Sequence, residues 1–219
     1  MKQARLIGDI HGAFYQYQTC VNDAEYSIQL GDFGIGFGQG DQWHESVNDF
    51  HQSGNHKFIR GNHDDPEFCR KHMVGYIADG VIENNVMFVG GAWSIDRDFR
   101  TPGVDWWRNE ELSANQMDQV FATYCVAKPD VMITHDCPTL VAYHMFVRSG
   151  LRTYGDSTLY LTRTGELFQR MFEVHQPKFW FHGHWHHTVE RDIDGTHFHC
   201  LGELDWVDFN FDNLEYVSK

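Results

Sequence analysis

The sequence predicts an α/β protein, and two observations carry that reading. Short apolar runs with strand character alternate with stretches of helical spacing, and five of the runs stop beside a residue type that can hold a metal. Four of them stop at a glycine: Leu6-Ile7-Gly8-Asp9, Ile28-Gln29-Leu30-Gly31-Asp32, Phe58-Ile59-Arg60-Gly61-Asn62 and Phe179-Trp180-Phe181-His182-Gly183-His184. The fifth, Val131-Met132-Ile133-Thr134-His135, ends the same way without the glycine. A second kind of region, Ile82 to Ser94 and Thr188 to Tyr216, has short β-like segments, turn signals at Asn84-Asn85 and Asp194-Gly195, and no helix between them. That pattern predicts hairpins in a second sheet.

Taken in order, helical spacing marks Asp41 to Gln52, Ser113 to Tyr124 and Leu159 to Val174. Open α/β sheets place their sites at the carboxyl ends of strands, so the five runs are expected to deliver their terminal residues to one edge. The 219 residues, 42% of them hydrophobic, fall in the size range of one domain with its own core, and no repeat or Pro/Ser-rich linker divides them. A single domain over residues 1–219 is expected. The glycine-dense stretch Gly31 to Gly40 fails the G-x-G-x-x-G spacing of a dinucleotide loop, and Asp32-Phe33-Gly34 has no kinase companions.

Five cysteines, Cys20, Cys69, Cys125, Cys137 and Cys200, are scattered without a C-x-x-C pair and read as reduced thiols, which suits a cytoplasmic setting. No apolar run approaches the ~20 residues of a spanning helix, and there is no h-region of a secretory signal before Asp9, so no membrane partner is expected. A formal charge of −14 repels a nucleic-acid backbone and disfavours duplex binding. Fifteen histidines, six of them at His182, His184, His186, His187, His197 and His199, point toward transition metal.

Asp9-Ile10-His11 and His184-Trp185-His186 each place two ligand types two residues apart, which in extended backbone turns both to one side. Asp32 adds a carboxylate able to bridge two cations, Asn62 an amide oxygen and His135 a further nitrogen. Mixed nitrogen and oxygen donors suit manganese, iron or zinc rather than calcium or a thiolate-bound zinc. Any one of these residues alone is as well explained by a cap or a satisfied hydrogen bond.

As an ordered set they resemble the calcineurin-like metallophosphoesterase superfamily, whose pattern is D-x-H, G-D, G-N-H-[DE], a lone H and G-H-x-H. The corresponding residues are Gly8-Asp9-Ile10-His11-Gly12, Gly31-Asp32, Gly61-Asn62-His63-Asp64, Thr134-His135 and Gly183-His184-Trp185-His186. The resemblance implies two mixed β-sheets sandwiched between helices, in four layers α/β/β/α, with the metal site at strand C-terminal ends. It implies two divalent ions, manganese first with iron or zinc as alternatives: one held by Asp9, His11, Asp32 and His186, the other by Asp32, Asn62, His135 and His184. Such a pair lowers the pKa of a shared water, orients a phosphate and stabilises the charge of in-line attack by the bridging hydroxide. His63 matches the family's catalytic histidine. Asp64 is grouped with it in catalysis, although adjacent side chains often diverge and a carboxylate from elsewhere is the alternative support.

The sequence departs from the protein-phosphatase branch, which carries G-D-x-x-D-R-G, by having Ile35 and Gly36 where the second Asp and the phosphate-binding Arg belong. Nor does Ile35 match the Tyr of purple acid phosphatases. A replacement arginine is sought in Gly90 to Glu111, a stretch with Trp93, Asp96, Arg97, Asp98, Arg100, Trp106, Trp107 and Arg108 that resembles small bacterial and phage members of the superfamily. Arg97 or Arg100 is expected to bind substrate phosphate, the alternative being that both pair with nearby acids and the tryptophans pack the second sheet. His44, His51, His56, His72, His144 and His175 fall on helices or turns away from chemistry, while His182, His187, His197 and His199 are expected to support the site or face solvent.

The leading expectation is a phosphomonoesterase, with phosphoserine or phosphothreonine among its substrates. A cyclic-nucleotide phosphodiesterase or nuclease on the same centre is the alternative, and a binding scaffold that has lost its chemistry, as in one retromer subunit, is a third; the scaffold predicts missing ligands. Nothing in the sequence fixes the oligomeric state.

Overall fold

A computed structural model describes residues 2–151 and 161–217. Its strands form two mixed sheets. The first contains β1 (Gln3–Ile7), β2 (Ser27–Gln29), β3 (His56–Phe58), β10 (Trp206–Asn210) and β11 (Glu215–Tyr216), in the order β11-β10-β1-β2-β3. The second contains β4 (Ile82–Glu83), β5 (Val86–Val89), β6 (Val131–Thr134), β7 (Phe179–His182), β8 (Val189–Ile193) and β9 (Thr196–Cys200), in the order β4-β5-β6-β7-β9-β8. In the first sheet β1, β2 and β3 run parallel while β10 pairs antiparallel with β1 and β11 with β10; in the second β5, β6, β7 and β9 run parallel and the outer strands β4 and β8 pair antiparallel.

The layering follows from the two-residue period of the strands. Ala4 and Leu6 of β1, Phe88 of β5, Ile133 of β6 and Phe181 of β7 point between the sheets, where they meet Ile28, Leu30 and Phe209. The opposite faces carry the helices. Ile7 and Phe58 pack with residues of α1 (Phe14–Val21), α2 (Asp41–His51) and α3 (Pro66–His72), among them Tyr17, Val47 and Cys69. Met87, Met132, Trp180 and Phe198 face α4 (Ala114–Ala127), α5 (Thr139–Ala142), which continues as a π turn over Tyr143–Val147, and α6 (Arg163–Val174). The result is the four-layer α/β/β/α sandwich.

Local signals explain most boundaries. Ser113 caps α4 in a reciprocal box with Gln116, and Thr162 caps α6 through Gly165. The helix expected from Leu159 is described from Arg163; residues 159 and 160 lie outside the described residues. Asn84 and Asn85 both adopt positive φ, 49° and 65°, the left-handed pair that a tight hairpin requires. The hairpins do not make a sheet of their own, however. The β4–β5 and β8–β9 pairs flank β6 and β7, whereas β10 returns to the first sheet and pairs antiparallel with β1, Ile7 opposite Trp206. The five site-bearing runs are therefore divided between both sheets, and the site lies where the two sets of strand ends meet. No helix among the described residues is long and apolar enough to cross a membrane. The five cysteines are free thiols.

Candidate metal centre

The first sheet delivers Asp9, His11, Asp32 and Asn62 from the loops after β1, β2 and β3, and the second delivers His135, His184 and His186 after β6 and β7. The glycines of the strand ends have a steric reason. A Cβ on Gly61 would overlap the Asp32 carboxylate, and one on Gly183 would overlap that of Asp9, so the backbone must come in bare to let the carboxylates reach the centre. Four of the converging residues, His11, Asp32, His184 and His186, hold left-handed backbone with φ between 44° and 68°. Non-glycine residues avoid that region, and its concentration here marks geometry imposed by the surroundings.

Asp9 and Asp32 are almost fully buried. The side chains facing them are histidines: His186 Nε2 is 3.1 Å from Asp9 Oδ2, His135 Nε2 3.2 Å from Asp32 Oδ1, and His11 Nε2 3.9 Å from one oxygen of each. Backbone amides hold the carboxylates in place, that of His184 on Asp9 at 3.1 Å and that of His63 on Asp32 at 2.7 Å. Burial opposes ionisation of Asp32, but His135, His63 and His11 outweigh it and hold the carboxyl well below its usual range. Burial likewise opposes protonation of His135, which Asp32 and Asp9 nevertheless raise to about 10.

Side-chain orientations are fixed from outside. His135 directs Nδ1 to the Leu30 carbonyl at 2.8 Å, which turns Nε2 inward. Asn62 donates its Nδ2 to Ser94 Oγ at 3.0 Å, and Ser94 donates to Glu110 at 2.5 Å, so that Asn62 presents Oδ1 to His135 Nε2 at 3.1 Å. His186 places Nδ1 3.1 Å from Glu203.

The match to a family model for calcineurin-like phosphoesterases runs over residues 5–188. The chain belongs to that family. Among solved structures, a dimetal phosphatase from Danio rerio has a TM-score of 0.57 at 12% identity, covering 95% of this chain and 92% of that one. The phosphopantetheinyl hydrolase of Mycobacterium tuberculosis has a TM-score of 0.52 at 15% identity, covering 92% and 89%. GAP50, the anchor in the inner membrane complex of Plasmodium, has 0.51 at 8% identity, covering 100% and 88%. These identities carry the fold alone. No curated protein matches the chain.

The seven residues of this calcineurin-like phosphoesterase suit two ions. Asp9, His11, Asp32 and His186 have ligand atoms within 4.8 Å of one another, as do Asp32, His135 and His184, and Asp32 is common to both sets. His11 Nε2 and His186 Nε2 face each other at 3.1 Å while both also face carboxylate. Nitrogens and oxygens at this spacing would suit a shared cation. A cation held there would take the place of the proton that Asp32 and Asp9 draw to His135.

His63 lies beside the cluster, its ring 5.1 Å from that of His11 and stacked on Phe37 at 5.0 Å. Burial depresses its pKa, with Arg100 adding to the effect against Asp32. Arg100 reaches it, Nη2 to Nε2 at 3.2 Å, and is itself clamped by Asp96 through bonds of 2.7 and 2.5 Å. Arg97 does not join them: it lies over the Trp93 ring, with Nε 3.7 Å from Asp98, at the surface. Asp64 has a different place from the one expected. Its carboxylate accepts the backbone N–H groups of Phe33, Gly34, Ile35 and Gly61, at 2.7 to 3.1 Å, and so ties the Asp32 loop to the Asn62 loop. Adjacent side chains diverge here, His63 toward His11 and Asp64 into the loop. Sequence reading missed Ser94, Glu110 and Glu203, whereas the Arg100–Asp96 pair is the pairing with a nearby acid given there as the alternative.

Proposed function

We propose that this family member is a two-metal phosphoesterase that hydrolyses phosphate monoesters, phosphoserine and phosphothreonine among them, in the cytoplasm and with manganese as the resident metal. The observation that carries the reading is the pair of ligand clusters sharing the buried Asp32, with His63 and Arg100 on their rim. Two divalent cations held there supply Lewis-acid charge to a phosphoryl group and to the attacking water.

The chain's own residues account for the rest. His63 and Arg100 present an imidazole and a guanidinium beside the cluster, two groups able to donate hydrogen bonds to phosphoryl or leaving-group oxygen. Arg100 stands in for the arginine missing at Gly36, and Asp96 keeps its fork oriented. A guanidinium in addition to two metals favours the dianion of a monoester over the single charge of a diester, and the formal charge of −14 disfavours a polyanionic duplex. Asp64, Asn62's partner Ser94 and Glu110 are positioning residues.

The test is a screen of the metal-loaded chain against aryl and alkyl monoesters, bis-esters, cyclic nucleotides and phosphopeptides. Phosphate release from monoesters, abolished by Asp32→Asn, is expected. Preference for diesters or cyclic nucleotides would move the assignment to a phosphodiesterase, and no turnover with both metals bound would leave a binding scaffold.

A further inference from the structure

The β8–β9 hairpin carries a second constellation of ligand types. His197 and His199 are two apart on β9 and so share one face, while Phe198 between them turns to the helices. Glu190 of β8 stands opposite His199 in the antiparallel register and Asp192 opposite His197. Cross-strand neighbours on one face are close enough to interact, which brings a carboxylate and two imidazoles together. The ligand atoms of Glu190, His197 and His199 all lie within 4.8 Å of one another.

Each imidazole is oriented through its far nitrogen. His197 Nδ1 is 2.7 Å from Asp192 Oδ1, and His199 Nδ1 is 2.9 Å from the Tyr216 hydroxyl of β11. Burial raises the Tyr216 pKa, so the group stays a phenol able to accept the Nδ1 proton. Both Nε2 atoms then turn to Glu190: that of His197 is 3.2 Å from Oε2, and that of His199 is 3.8 Å from Oε1. The second separation is too long for a hydrogen bond. His199 is 1% exposed, and its Nε2 is a buried polar atom with no hydrogen-bond partner among the described residues. Such an atom costs roughly 1–3 kcal/mol unless something meets it. Tetrahedral ligation at 2.0–2.1 Å separates ligand atoms by about 3.4 Å, between the two distances seen.

We propose that Glu190, His197 and His199 form a further metal site, sharing no ligand with the Asp32 cluster, for a zinc-class divalent transition cation. Two neutral imidazoles and one carboxylate are the donor set, with Nε2 of both histidines and one Glu190 oxygen as ligands. Asp192 and Tyr216 hold the two rings in the ligating orientation. A fourth position is left for water. Because the ligands come from both strands of the edge hairpin, the ion fastens β8 to β9 and, through Tyr216, to the end of the first sheet. The site stands on its own geometry and not on the phosphoesterase reading.

The test is zinc binding by the full chain, measured as bound equivalents after equilibrium dialysis, in the Asp32→Asn background. Whatever zinc that chain retains, adding Glu190→Gln or His197→Gln is expected to remove one equivalent, and Asp192→Asn to weaken that equivalent about tenfold. Zinc at a hundredfold above its Kd is expected to raise the Asp32→Asn melting temperature by about 5 to 10 °C, and not that of the double variants. In the wild type, zinc is expected to shift the imidazole ¹⁵N resonances of both His197 and His199, a readout that needs no variant. Equal zinc uptake with and without the substitutions, or unmoved resonances of these two histidines under saturating zinc, overturns the proposal.

Discussion

Arg100 donates to His63 across 3.2 Å, Nη2 to Nε2, while Asp96 accepts from Nε and from the same Nη2. A guanidinium has no acceptor, so in this arrangement the His63 Nε2 is the accepting atom. A substrate phosphate entering the cluster offers oxygens to both groups and competes for the same Arg100 N–H. On the proposed function the loop that carries Asp96 and Arg100 would supply from a separate segment what the Ile35 and Gly36 positions lack.

It follows that the two candidate arginines are expected to separate. Arg100→Ala should raise KM and the inhibition constant of free phosphate about 10- to 100-fold, the worth of a lost charge-assisted pair, with metal content unchanged. Arg97→Ala should leave both within about twofold, since that side chain is 43% exposed and rests on Trp93. Steady-state kinetics with phosphate as inhibitor decides it, and equal effects in the two variants would remove Arg100 from substrate binding.

Among the described residues, Asp32 is the carboxylate common to both candidate ligand sets. Metal analysis of Asp32→Asn protein is therefore expected to fall by two equivalents relative to wild type, whereas His186→Ala should lose one. Retention of two metals at these positions with normal turnover would exclude the shared-ligand assignment.

Much of the centre was legible because its ligands must follow strand ends and must be preceded by bare backbone. Gly61 and Gly183 sit against the carboxylates of Asp32 and Asp9, which ties sequence signature to geometry directly. Helix α4 was equally legible from Ser113 and Gln116. Helix α1 was not: Ala13 offers no side-chain cap, and eight residues give too little periodicity. The chain from Glu110 through Ser94 to Asn62 and the return of β10 to β1 are contacts between distant segments, and no local pattern encodes them. The hydrogen bonds of Asp64 were not legible for the converse reason, since its motif position describes neighbours in sequence and not the direction of its side chain.

The role now given to Asp64 has its own test. Asp64→Ala leaves the amides of Phe33, Gly34, Ile35 and Gly61 without an acceptor in a dry loop, and unfolding in urea is expected to show a loss of about 3 kcal/mol or more. Asp64→Asn keeps one acceptor oxygen and should lose less. A catalytic role would instead lower turnover in both variants at unchanged stability.

His51 makes stability sensitive to acid. It is buried among Tyr17, Phe33 and Phe58, and burial lowers its pKa from 6.5 to about 4. Between those values the unfolded chain binds a proton that the folded chain refuses. The stability tied to neutral His51 is therefore complete above pH 6.5 and is lost as pH falls toward 4, at about 1.4 kcal/mol per unit. His51→Phe, which keeps the ring packing, is expected to lose about 2 kcal/mol less than wild type between pH 7 and pH 5 in urea titrations. Parallel losses would mean that the ring is accessible to protons in the folded state.

The last prediction separates His63 from the metals. On the proposed function two cations would supply the charge that drives attack on phosphorus, but an alkoxide departing from an alkyl phosphate needs a proton or a strong hydrogen bond, whereas nitrophenolate leaves with little help. His63 is held beside the cluster by its backbone bond to Asp32 and its stack on Phe37, within reach of a leaving oxygen on that rim. General-acid assistance contributes about 10² to 10⁴ in rate, so His63→Ala is expected to lose that much with alkyl esters and far less with nitrophenyl phosphate. The measurement is kcat/KM over a series of aryl and alkyl phosphates, with metal content checked in each preparation. A steeper dependence on leaving-group pKa in the variant than in the wild type supports proton donation. An equal loss for every ester assigns His63 to the phosphoryl oxygens alongside Arg100, and no loss for any ester removes it from the reaction.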